Sequence, residues 1–164
     1  MSSSMLNTPP VASFTGTARR GAVSFVIEGK AYVGTGETNS GRVASFYKYD
    51  PALDTWTQIA SFAGQDRTSA VGFSIGSYGY VGTGDLSTGS SNDFWQYDPS
   101  LDLWTQKANV GPILRQESSG FELEGKGYIL TGLEELTGTD HSDMWEYDPA
   151  LDTWVLAEEF LGTS

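Results

Sequence analysis

Three arginines and a group of acidic loop residues carry the chemistry this chain could do. Arg19, Arg67 and Arg115 recur at a spacing of 48 residues, and each presents a planar fork of donors suited to a carboxylate or another anion. Two readings stand for them. They form a shared anion site, or each guanidinium pairs with a loop carboxylate of its own or the next repeat and pins a corner of the chain. The second group is Glu37 and Arg42, then Asp85 and Asn92, then Glu134, Glu135, Asp140 and His141. These fall in polar stretches where the repeats differ, and variable loops on a rigid scaffold are where binding concentrates. His141 is the only histidine, so one chain cannot form a zinc site from a histidine pair. Asp85, Glu134 or Asp140 could hold a cation through oxygen, yet no spacing has the form of a calcium loop. Solvated acidic loops are the plainer reading, and no metal or cofactor is expected.

Composition narrows the classes further. Nine Lys plus Arg stand against 21 Asp plus Glu, a formal charge of −12, which repels phosphate backbones and anionic bilayers. Neither nucleic acid nor a membrane is an expected partner. The chain has no cysteine, which removes thiolate catalysis, disulfides and cysteine-based zinc sites. Residues 1–10 lack the basic and apolar regions of a signal peptide, and no apolar run is long enough to span a bilayer. They read as a disordered or added lead-in, and the chain as soluble. A signal removed upstream is left open.

The elements that must position these residues follow from an internal repeat. Ala22-Val23-Ser24-Phe25 returns as Ala70-Val71-Gly72-Phe73, Tyr32-Val33-Gly34-Thr35-Gly36 as Tyr80-Val81-Gly82-Thr83-Gly84, and Tyr49-Asp50-Pro51 as Tyr97-Asp98-Pro99, each 48 residues on. A third copy keeps this register through Phe121, Tyr128 and Thr131-Gly132, then gains two residues before Tyr147-Asp148-Pro149. One loop must absorb that insertion. Within a unit, an apolar strand from Ala22 to Ile27 and a tight turn at Glu28-Gly29 lead to a second strand, Ala31 to Gly34. A polar loop then runs from Glu37 to Ala44. A third strand, Phe46 to Tyr49, stops at Asp50-Pro51, because proline has no ladder N–H, and a fourth runs from Thr55 to Ile59. Tyr47, Trp95 and Trp145, two residues before the recurring tyrosine, fall on its face by strand alternation and read as packing rather than as sugar-stacking rings. A four-stranded meander cannot bury both faces alone, so the units must stack.

Four features together resemble the kelch repeat: an apolar strand, a Tyr-containing strand ending in Gly, a spaced Tyr, and a Trp about seven residues beyond. The matching residues are Tyr32, Gly36, Tyr49 and Trp56, then Tyr80, Gly84, Tyr97 and Trp104, then Tyr128, Gly132, Tyr147 and Trp154. Thr-Gly replaces the family's usual Gly-Gly in all three copies, as in kelch-like repeats of secreted bacterial proteins, which implies a bacterial secreted or cell-envelope parent. The resemblance implies an all-β fold of three four-stranded propeller blades: 11–64, 65–112 and 113–164. It places the first strand of each blade at the propeller axis, and the three arginines near the central opening. Trp56, Trp104 and Trp154 then pack near the outermost strand.

Three blades are too few to close a propeller. Kelch rings often have six, so the expectation is a homodimer that closes a six-bladed ring, each blade complete within one chain. The expected function is a non-catalytic scaffold binding a protein segment or glycan at its loop rim or axial opening. Among enzymes resembling this fold, the copper oxidase needs Cys and His, and the nitrile-forming proteins need a Glu, Asp, His array that His141 lacks. A mutarotase-like sugar enzyme is the alternative, with Arg19, Arg67 and Arg115 orienting an anionic substrate and Glu117 or Asp66 moving protons.

Overall fold

The computed structural model describes residues 11–159, with the side chains of 158 and 159 left aside; the expected lead-in 1–10 lies outside them. Their strands in chain order are β1 (Val23–Ile27), β2 (Lys30–Gly34), β3 (Glu37–Thr38), β4 (Gly41–Arg42), β5 (Phe46–Asp50), β6 (Thr55–Ile59), β7 (Arg67–Thr68), β8 (Val71–Ile75), β9 (Tyr78–Gly82), β10 (Asp85–Leu86), β11 (Gly89–Ser90), β12 (Phe94–Asp98) and β13 (Leu103–Lys107). They continue with β14 (Ser119–Leu123), β15 (Lys126–Leu130), β16 (Leu133–Glu134), β17 (Thr139–Asp140), β18 (Asp143–Asp148) and β19 (Thr153–Glu159). Among the described residues there is no helix, and so none long and apolar enough to cross a membrane.

Three antiparallel meanders carry the fold: β1-β2-β5-β6, β8-β9-β12-β13 and β14-β15-β18-β19. Their turns follow from local chemistry. Glu28-Gly29 and Glu124-Gly125 both have positive φ at both positions, whereas Gly76-Ser77 has it at Gly76 alone, the difference between the two mirror-image hairpin turns. The loop expected from Glu37 to Ala44 is not irregular: β3 and β4 pair within it, as do β10 with β11 and β16 with β17. The two-residue insertion of the third copy lengthens the turn of that small hairpin, from Ser87-Thr88 to residues 135–138. Two-residue strands carry no usable alternation, which is why the polar sequence reads as loop.

The first strands converge: β1 packs on β8 and β8 on β14, so these strands lie innermost. Each meander buries one face against the next. Val23, Phe25, Ile27, Tyr32 and Phe46 form one core with Val81, Tyr97 and Trp104 of the following sheet. Val71, Phe73, Ile75, Tyr80 and Phe94 form its counterpart with Ile129 and Tyr147. Within a sheet some rings stack, as Tyr80 does with Phe94, but between sheets they meet tilted or edge to face, as Phe94 does with Tyr147 and Trp154 at 4.9 Å, an arrangement favoured by their quadrupoles. Glycine permits the close approach. A Cβ on Gly79 would fall 2.2 Å from the Phe25 ring, and one on Gly127 2.7 Å from the Phe73 ring.

Backbone bonds stitch the sheets together near the innermost strands. Gly36 N–H donates to the Arg67 carbonyl and Gly84 N–H to that of Arg115, while Ser69 N–H donates to Gly21 and Glu117 N–H to Ser69. The Thr-Gly pairs shape this stitching. Gly84 has φ 103°, and a Cβ there would lie 2.9 Å from the Thr68 carbonyl, so glycine is required. The preceding Thr35, Thr83 and Thr131 have φ of 54°, 57° and 61°, a left-handed conformation that costs a non-glycine residue roughly 1–2 kcal/mol. The Thr83 hydroxyl is also buried without a partner. Thr83→Gly relieves that strain and removes the orphaned hydroxyl, but it also deletes a fully buried methyl and adds unfolded-state entropy, so the terms offset and the thermal midpoint should stay within about 3 °C of the parent.

Candidate functional site

Arg67 and Arg115 are fully buried. Arg67 Nη1 donates to the Thr83 carbonyl at 2.8 Å, its Nε to the Gln65 carbonyl, and its two terminal nitrogens fork onto the Asp93 carboxylate. Arg115 repeats the arrangement on the Thr131 carbonyl and the Asp143 carboxylate, at 2.6 and 2.7 Å to the latter. Each arginine thus ties the corner entering a blade to the strand end and loop of that same blade, and the Phe62 ring lies 4.6 Å from the Arg67 guanidinium. Of the two readings given for these positions, the geometry matches the pairing with a loop carboxylate of the same blade: Asp93 and Asp143 fill the forks, which leaves neither open to an anion. The mutarotase-like alternative loses two of its three substrate-orienting donors for the same reason.

The first blade departs from this pattern. Ser45 occupies the repeat position of Asp93 and Asp143, and Arg19 bonds the Ser45 carbonyl and hydroxyl and the Thr35 carbonyl instead. The substitution is paired with another: Trp95 and Trp145 donate their indole N–H to Asp93 and Asp143, whereas Tyr47 stands in their place beside Ser45 and meets Phe14 edge to face. Arg19 is half-exposed and lies 5.4 Å from both the Phe14 and Tyr47 ring centroids. Tyr47, Trp95 and Trp145 are partly buried and pack in the blades.

Burial alone would raise the Asp93 and Asp143 carboxyls, but the arginine forks and indole donors outweigh it and hold both below the usual carboxylate value. A carboxylate depressed in the folded state contributes stability above its unfolded pKa of about 3.9, lost as pH falls through the lower folded value. Urea midpoints measured from pH 7 to pH 2 should therefore drop steeply below about pH 4. The Asp93→Asn variant should start lower and show a shallower drop.

A second set of side chains escaped the sequence reading. Asp54, Asp102 and Asp152 sit at φ near 50° in the turn before each outer strand. Each accepts from the blade's recurring tyrosine, as Tyr97 Oη to Asp102 at 2.8 Å, and from a backbone N–H of the segment entering the blade, as Ala60 to Asp102 at 2.9 Å. Trp104 Nε1 donates to the Ala60 carbonyl at 3.2 Å, and Trp56 and Trp154 do the same to Ala12 and Ala108. The spacing Tyr-Asp-Pro-x-x-Asp was the available signal, but the second Asp reads as a turn former.

The acidic loop residues share one rim with β3-β4, β10-β11 and β16-β17. Glu37 pairs with Arg20, and Asp85 with Arg42 of the preceding blade. Glu134 accepts from Thr137 Oγ1 at 2.7 Å and lies 3.5 Å from His141 Nε2. Asp140 is exposed in β17. Glu134 and Glu135 face Ser87, Ser90, Leu114 and Leu136 across a cleft of about 600 Å³ between the second and third blades. Among the described residues no group of three or more His, Asp or Glu side chains converges as a metal site.

The solved structure of YjhT superposes on this chain with a TM-score of 0.80 and 21% identity, over 92% of this chain and 54% of that one. The fold is β-propeller-like. The chain spans about half the length of that propeller-like neighbour. No family model matches the sequence, and a search of curated proteins gives no match.

Proposed function

We propose that the chain is a non-catalytic, kelch-type β-propeller scaffold, that two copies close into a six-bladed ring, and that its loop rim holds a protein segment or glycan. One observation carries the assembly. Phe121, Leu123 and Tyr128 occupy the places of Phe73, Ile75 and Tyr80, yet Phe121 and Leu123 are 41% and 55% exposed where Phe73 and Ile75 are 6% and 7%. The opposite end of the arc offers the matching half: Val33 and Tyr49 are half-buried at the positions where Ile129 and Tyr147 are fully buried. Apolar faces of this kind mark an interface, and the two faces complement one another rather than themselves, so a two-fold ring uses both twice.

Backbone groups support the same pairing. Gly132 N–H and the Glu117 carbonyl on the third blade, and the Arg19 carbonyl and Gly21 N–H on the first, have no counterpart of the inter-blade bonds among the described residues. Side chains at the seam also match in kind. A Cβ on Gly72 would lie 2.9 Å from the Val23 Cβ, and one on Gly120 2.2 Å from a Val71 methyl; at the seam the corresponding pair is Ser24 with Ser119 of a second copy. The rim cleft, with hydroxyls, two glutamates and two exposed leucines, supports binding of a segment there.

The chain is free of cysteine, which makes a cross-link decisive. Ser24→Cys and Ser119→Cys placed in one chain should form a covalent dimer on oxidation, and neither variant alone should. A chain that stays monomeric on a denaturing gel, or a dimer that forms with one cysteine, contradicts the ring.

A further inference from the structure

At the seam between the first and second blades, the cleft beside the rim hairpins carries its own cation. Arg42 lines it and pairs with Asp85 across the seam. One repeat on, between the second and third blades, Ser90 stands at the place of Arg42 and Leu133 at that of Asp85. The cleft of about 600 Å³ there is lined by Glu134 and Glu135 and by no Lys or Arg. The cation that the first seam supplies from within is missing from the second.

The carboxylates of the second cleft are unequally occupied. Glu134 accepts from Thr137 and lies 3.5 Å from His141, whereas Glu135 has no ion-pair or hydrogen-bonding partner among the described residues. Arg42 is committed to Asp85 and acts on Glu135 only over a longer distance. The Glu135 side chain reaches toward the opposite hairpin, its Oε2 standing 3.7 Å from where a Cβ on Gly89 would be. Ser90 follows Gly89 in the same cleft wall, and its hydroxyl is buried without a partner. Beside them, Leu114 and Leu136 are 48% and 93% exposed.

We infer that this cleft receives an arginine side chain from a segment of a partner protein, an inference that rests on the reading of the rim as a place where a protein segment binds. The guanidinium meets the Glu135 carboxylate and the Ser90 hydroxyl, and the methylene stem lies along Leu114 and Leu136. A planar fork of donors can serve a carboxylate and a hydroxyl together. A net charge of −12 favours the approach of a basic segment. A metal ion is served poorly, since hard cations take six or more oxygen ligands and no three carboxylates converge among the described residues. The site lies between two blades of one chain, so it stands whether or not the ring closes.

Isothermal titration of the whole chain with the blocked tripeptide acetyl-Leu-Arg-Leu-amide tests this. The control peptide carries citrulline, which keeps the shape of arginine and loses its charge, and calcium chloride is the third probe. The arginine peptide should saturate below millimolar concentration, the citrulline peptide should bind at least about ten-fold more weakly, and calcium should give no saturable signal. Glu135→Gln should weaken the arginine peptide about ten-fold, the loss of one charge-assisted contact. Ser90→Arg, which copies Arg42 of the first blade, should fill the cleft from within and abolish binding, with the thermal midpoint unchanged. Equal binding of the two peptides, both lost in Ser90→Arg, would overturn the arginine and leave a segment-binding rim standing. Saturation by calcium in place of the peptide, or an arginine peptide held by Glu135→Gln as by the parent, would overturn it too. If neither peptide saturates at millimolar concentration, the inference and the rim as a peptide site fail together.

Discussion

Arg67→Ala is expected to cost about 3–5 kcal/mol of folding stability, because it strands a carboxylate in a partly buried site. Asp93 would lose both arms of the fork and keep only the Trp95 and Ser91 donors, and the Thr83 carbonyl would lose its partner. Unfolding in urea should shift to a much lower midpoint. Arg67→Met combined with Asp93→Leu should recover a large part of the loss, since a buried ion pair contributes little beyond a well-packed apolar replacement. Arg19→Ala should cost far less, because Ser45 leaves no carboxylate behind. If Arg67→Ala were as mild as Arg19→Ala, the role of the fork as a blade corner would be wrong.

Phe121→Glu should act on assembly and not on folding. Phe121 packs on Tyr128 at 5.2 Å but is substantially exposed, so the isolated chain has little to lose from a charge there. At the seam the same glutamate would be buried without a partner, which costs several kcal/mol, enough to empty the dimer at micromolar concentration. Phe73→Ala at the equivalent internal position should instead lower stability by about 3–5 kcal/mol, the usual cost of a large cavity. Denaturation and sedimentation of the two variants separate these outcomes. A Phe121→Glu chain that sediments as the parent does would place the seam elsewhere.

The period of the repeat was readable because it is written in residues whose roles are local: hairpin turns, strand-ending prolines and alternating aromatics. Its consequences at longer range were not. The partners of Arg67 and Arg115 lie 26 and 28 residues on, and the same spacing from Arg19 meets Ser45, so no common motif announces the fork. Asp54, Asp102 and Asp152 hide behind their own turn propensity. The left-handed threonines contradict residue preference, and only the carbonyls they present to the arginines account for the geometry.

The ring rests on exposed end faces that repeat the internal ones, and the solution mass reports on it directly. Multi-angle light scattering across the micromolar range should give twice the chain mass of 17.7 kDa, held through dilution to the low micromolar range. A mass that stays at that of one chain, at every concentration, would contradict the closed ring.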